Sequence, residues 1–120
     1  MTAAGLTSVL ALLLLGLASA FQAALALGVP WGAMAYGGRV ARTDGTLPAR
    51  YRITSMLTVV FLGVAAWSVH AKVEPALWAF AAIFAVNTMA NLGGRHPVER
   101  WGMSALTLGL AALCASLALT

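Results

Sequence analysis

Apolar residues along this chain gather in four long blocks, separated by short segments rich in glycine, proline and arginine. The first block runs from about Leu6 to Leu27, roughly 22 residues or ~33 Å of helix, enough to cross a bilayer with slight tilt. It stops at Gly28, Val29 and Pro30, because proline cannot donate to a continuing helix. A second block begins near Ile53 and fades at His70. The third opens with Pro75 behind Glu74, a helix start that sets a carboxylate at the positive end of the dipole, and ends near Leu92 before Gly93 and Gly94. The fourth has its apolar stretch from about Gly102 to Leu119, and the flanking turn from Pro97 to Trp101 extends it to about 98–119. Four membrane-spanning helices in an antiparallel all-α bundle, built as two helical hairpins, are the fold this predicts.

The first block resembles a secretory signal, since Leu10 to Leu17 is apolar and Ala18, Ser19 and Ala20 are small. No Lys or Arg precedes it, however, and apolar character continues to Leu27. It reads as a span. Composition agrees: 62% of residues are hydrophobic and 8% charged, with seven Lys and Arg against three acids. A soluble domain carries about 25% charged residues, so hydrocarbon has to serve as solvent for most of this surface. The net charge of +4 is read as basic loops lying against anionic headgroups, not as a nucleic-acid surface.

Arginine placement sets the expected orientation. Arg39, Arg42, Arg50 and Arg52 lie between the first two spans, Arg95 and Arg100 between the last two, and Lys72 alone on the other side. The positive-inside tendency then puts both arginine-rich loops in the cytoplasm and both termini outside, in a bacterial inner membrane. A faint internal likeness accompanies this: a shift of 49 places sets Gly45 on Gly94, Pro48 on Pro97, Ser55 on Ser104, Leu57 on Leu106 and Thr58 on Thr107. Duplication and similar helix-entry chemistry both account for it.

Helices in lipid associate through close backbone approach. Gly16, Ala20, Ala24 and Gly28 form a small-residue stripe in the first span and are expected to pack within the bundle or against a second copy; Ala105, Gly109, Thr107, Ala111 and Ala115 offer similar seams in the fourth. Phe61, Trp67, Trp78, Phe80 and Phe84 face lipid or fill the bundle, while Trp31, Tyr51 and Trp101 stand beside arginines as interfacial anchors.

Candidate chemistry is sparse. With the fourth span begun at Gly102, no span contains Asp, Glu, Lys or Arg, which argues against proton-coupled transport. Asn87 and Asn91, with Thr88 alongside, share one face of the third helix; they serve as hydrogen-bonded glue between helices or as contacts to a ligand or ion. Gln22, Ser55 and Ser104 are lesser candidates for the same role. Arg39, Arg42, Arg50 and Arg52 in the first loop, and Arg95, His96, Glu99 and Arg100 in the second, are candidates for holding an anionic headgroup, or serve as ordinary loop residues. No metal set, cofactor motif or nucleophile–base spacing is present, and His70 and His96 fall on opposite faces of the membrane.

Gly28, Pro30, Trp31, Gly32, Gly37, Gly38, Leu47 and Pro48, followed by Asn91, Glu99, Arg100 and Trp101, resemble a loose group of small, uncharacterised four-span membrane proteins from high-GC bacteria. That resemblance implies four spans and no particular reaction. The expected function is therefore a non-enzymatic accessory or scaffolding protein packing against itself, a larger membrane complex or lipid. The alternatives are a small oligomeric channel or uncoupled transporter with a polar path along the third helix, and a protein that binds or modifies lipid headgroups.

Overall fold

The computed structural model describes residues 2–120. It contains four long helices and, among the described residues, no strand. Helix α1 covers Ala3–Leu27, α2 Ala49–Ala71, α3 Glu74–Leu92 and α4 Ser104–Ala118, the last preceded without a break by a π-helical segment over Val98–Met103. All four are long and apolar enough to cross a membrane, with the fourth counted from Val98 to Ala118. The molecule is an antiparallel four-helix bundle about 47 Å long and 23 Å across.

Local chemistry sets the ends. Thr2 caps α1 by accepting from the Gly5 N–H, and Gly28 closes it in the left-handed conformation at φ 96°. Lys72 takes the same conformation at the end of α2, leaving only a tight turn before Glu74 and Pro75 open α3. One boundary differs from the sequence expectation. Helix α2 begins directly after Pro48, so Arg50 and Arg52 belong to its first turn instead of the loop. The fourth helix begins directly after Pro97, at the start of the extended span of about 98–119, so Glu99 and Arg100 ride on a membrane-length helix. The charge-free fourth span expected from Gly102 onward is thereby corrected. An extra residue per turn over Val98–Met103 carries the helix through a stretch that reads as polar loop.

Packing is uneven along the bundle. Ala11 and Leu15 of α1, Leu62, Ala65 and Val69 of α2, Leu77, Phe80 and Phe84 of α3, and Leu110, Cys114 and Leu117 of α4 form one buried core. These positions lie toward the end that carries the termini and the Lys72 turn. Phe61, Phe80 and Phe84 lock α2 to α3 there, with ring centroids 5.0 to 6.3 Å apart. Leu13, Leu17, Val60, Trp67, Trp78, Val86 and Met89 point outward, an apolar exterior suited to lipid. Toward the arginine-rich end the helices enclose space instead of side chains, and α2 and α3 touch less than the other neighbouring pairs.

Over that end lies the long first loop, and it is ordered. Short helical turns at Gly32–Met34 and Tyr36–Gly38 fold back so that Leu25, Ala35 and Leu47 form a second small core, flanked by Phe21, Tyr36, Val40 and Tyr51. Gly32 donates to the Gly45 carbonyl at 2.8 Å; a β-carbon at Gly32 would lie 2.7 Å from that oxygen, so only glycine permits the approach. Asp44 accepts from both the N–H and the hydroxyl of Thr46, which closes the far turn of the loop.

Candidate functional site

The space between the helices is a cavity of about 310 Å³, at the lower end for small-molecule sites. Every helix and the first loop contribute to its wall. Phe21 and Gln22 come from α1, Thr58 and Phe61 from α2, Asn87 and Asn91 from α3, and Thr107 from α4; Tyr36 and Gly37 of the loop cover the end, beside Glu99.

Glu99 is the least expected member. Only 4% of its surface is exposed. Its Oε2 accepts a 3.0 Å hydrogen bond from the Gly37 N–H, while Oε1 is buried with no partner. The carboxylate rests on Gly94, where an added β-carbon would come within 2.7 Å of the carboxyl carbon. Two glycines on different loops thus cradle one carboxylate. Gly37 does so from the left-handed region at φ 79°, between Tyr36 at 52° and Gly38 at 73°. Tyr36 is not glycine, and holding it there costs about 1 kcal/mol or more. Its hydroxyl is tied to Ser55 Oγ at 2.9 Å, and its ring leans on Tyr51 with centroids 5.1 Å apart. These contacts hold the strained residue at the rim of the cavity. Burial pushes its phenol above the ordinary tyrosine range, against a smaller opposing effect of the Ser55 hydrogen bond.

A carboxylate with a single donor, buried at the mouth of a membrane bundle, is costly unless its charge is compensated. Its position in the first turn of the fourth helix supplies part of that compensation through the helix dipole. Among the described residues no side chain donates to it.

The polar pair on α3 divides its work. Thr88 is buried and donates to the Phe84 carbonyl at 2.9 Å; Thr107 of α4 lies 2.8 Å from it and receives Asn91 Nδ2 at 3.4 Å. Thr88 and Asn91 therefore join α3 to α4. Asn87 makes no hydrogen bond among the described residues and lines the cavity with Asn91. Gln22 lines it from α1, with Oε1 buried and unpartnered. The two positions related by the 49-residue shift, Thr58 and Thr107, both lie on the cavity wall, and the related serines Ser55 and Ser104 are both buried.

The eight loop residues proposed for headgroup contact do not form one site. Arg52 Nε donates to the Ala26 carbonyl at 3.0 Å and its guanidinium lies against Gly28, so it caps the end of α1. Arg50 lies over the Tyr51 ring and Arg100 over the Trp101 ring, at 5.0 and 5.2 Å from the centroids. Arg39, Arg42 and Arg95 are exposed; Arg39 reaches back to Gly37, and the Arg95 N–H faces the Gly37 carbonyl at 3.4 Å. His96 accepts from the Val98 N–H through Nδ1. Glu99 turns inward and offers nothing to a headgroup. Among the anchors, Trp31 and Trp101 are exposed, Trp31 stacking on Phe21, whereas Tyr51 belongs to the small loop core.

The small-residue stripe does not lie wholly inside the bundle. Gly16 and Ala20 are exposed, and a β-carbon at Gly16 would meet nothing within 4 Å. Gly28 serves as the helix cap. Gly109, from the expected seam of the fourth helix, faces the Leu14 side chain of α1. Sequence reasoning passed over the joint role of Tyr36, Gly37, Gly94 and Glu99. The one signal available was the presence of glycine pairs in both loops beside a lone acid.

Among the described residues no group of three His, Cys, Asp or Glu side chains converges. Comparison of the chain with protein-family models, with curated proteins and with solved structures returned no match.

Proposed function

We propose that this chain is a membrane-embedded binding protein for a small polar solute, of the carrier or channel class, with its site in the cavity near the arginine-rich end. The observation that carries this reading is the buried Glu99 carboxylate, held by one backbone N–H at the edge of a 310 Å³ space that is also lined by Gln22, Asn87 and Asn91. Structural glue needs no such space, and polar groups in hydrocarbon normally find partners within the protein. Here a carboxylate oxygen and an amide oxygen lack them. The sparse contact between α2 and α3 offers a side door toward lipid, and the first loop covers the end. In this reading the arginine-rich end lies in the cytoplasm of a bacterial cell.

The test is thermal stabilisation of the purified protein in nanodiscs by a panel of small solutes. A solute that binds the folded state raises the midpoint in proportion to RT ln(1 + [L]/Kd). At least one should do so for the parent protein and fail with Ala90→Phe, which enlarges a side chain on the α3 wall of the cavity. A panel without effect, or equal stabilisation of that variant, would count against the proposal.

A second reading, an accessory subunit that packs against another membrane helix or a second copy, is favoured by the exposed Gly16 and Ala20 on α1. Gly16→Leu should then abolish a self-associated or partner-bound form in mild detergent and leave the solute response intact.

A further inference from the structure

We infer that the solute is a compact organic cation, a primary or secondary ammonium carrying an apolar or aromatic substituent; this rests on the solute-binding reading above and names its ligand class. The one formal charge on the wall is negative. Glu99 is the only charged side chain on it, and no Lys, Arg or His lines the cavity among the described residues. Its buried carboxylate has one donor on Oε2 and none on Oε1, and Gln22 Oε1 is buried without a partner.

The threonine hydroxyl protons are already committed. Thr58 donates to the Thr54 carbonyl and Thr88 to the Phe84 carbonyl. Thr107 donates to the Met103 carbonyl at 2.9 Å and accepts one N–H of Asn91 Nδ2 at 3.4 Å. An anion would meet the carboxylate and no cationic side chain. An ammonium group would find a compensating charge.

The rest of the wall suits the substituent. Phe21, Phe61, Phe84 and the Tyr36 ring all line the space, and aromatic faces attract a desolvated cation as well as an apolar group. A space of about 310 Å³ suits a small ligand.

The test uses three probes of one shape: benzylammonium, benzyl alcohol and benzoate, by equilibrium dialysis against the protein in zwitterionic-lipid nanodiscs, with empty nanodiscs to subtract partitioning. Benzylammonium should bind saturably, and at least about tenfold more tightly than the other two. Glu99→Gln, which keeps an acceptor for the Gly37 N–H, should abolish that preference. The charge series on the parent protein needs no variant and stands even if Glu99→Gln does not fold. Saturable binding of benzyl alcohol or benzoate at equal strength would overturn the cation assignment while leaving the solute-binding reading in place. Saturable binding of none of the three would overturn the cation assignment at this size, and the broader solute panel then decides the reading beneath it. An unchanged preference in folded Glu99→Gln would overturn the role given to the carboxylate.

Discussion

Gly94 and Glu99 are matched in shape across the loop between α3 and α4: the carboxyl group occupies the space that a β-carbon at position 94 would need. The close approach explains why the acid turns inward, since a side chain at 94 would push it off the cavity wall. Gly94→Ala should therefore destabilise the protein by about 1–3 kcal/mol, the usual range for overpacking a close contact. Glu99→Ala in the same background should recover much of that loss. Thermal unfolding of the two single variants and the double variant gives the coupling, and strict additivity would contradict the contact.

Arg52 should behave as a helix cap and not as a lipid receptor. Its guanidinium bonds the Ala26 carbonyl at the end of α1. Arg52→Met should lower stability by about 1 kcal/mol, and the loss should be the same in zwitterionic and anionic nanodiscs. A loss that appears only with anionic lipid would return Arg52 to the headgroup role.

Thr88 and Thr107 tie α3 to α4 inside the bundle through a 2.8 Å hydroxyl contact. Thr88→Val should cost roughly 0.6–2 kcal/mol, the scale of interhelical hydrogen bonds in membranes. The matching Thr107→Val change should cost little more once Thr88 is gone. Chemical denaturation in detergent can measure the cycle.

Tyr36 links the strained loop to α2, and its titration should be visible in stability. Burial raises its phenol above the usual value of 10.0. The folded protein thus holds this proton at pH values where the unfolded chain has released it. Its contribution is fully present below the unfolded value and falls as pH rises from there through the folded one. Tyr36→Phe should lower stability at neutral pH by about 1 kcal/mol through loss of the Ser55 hydrogen bond. It should also flatten the alkaline decline in unfolding midpoint. An equally steep decline in the variant would assign that effect to other groups.

Much of the architecture was legible from residue order. Four blocks of apolar side chains, each long enough for hydrocarbon, leave little choice but helices, because no other open segment can satisfy its own backbone in lipid. Gly28 and Pro75 then mark helix ends through torsional preferences that need no neighbours, whereas α2 starts behind Pro48, about four residues ahead of the apolar block that begins near Ile53. The polar face of Asn87 and Asn91 followed from helical spacing alone. Its partner did not, because Thr107 lies on another helix and only packing brings it within 2.8 Å of Thr88.

What residue order determined is the set of helices, their apolar exterior and the gathering of arginines at one end of the bundle, all consequences of short-range backbone chemistry and of transfer between water and lipid. The tertiary structure alone decided that Glu99 faces inward against Gly94 and Gly37, that Arg52 caps α1, and that the core fills one half of the bundle while a cavity opens in the other. Those outcomes depend on distances between segments far apart in the chain. A lone acid between arginines carries no local sign of which way it will turn.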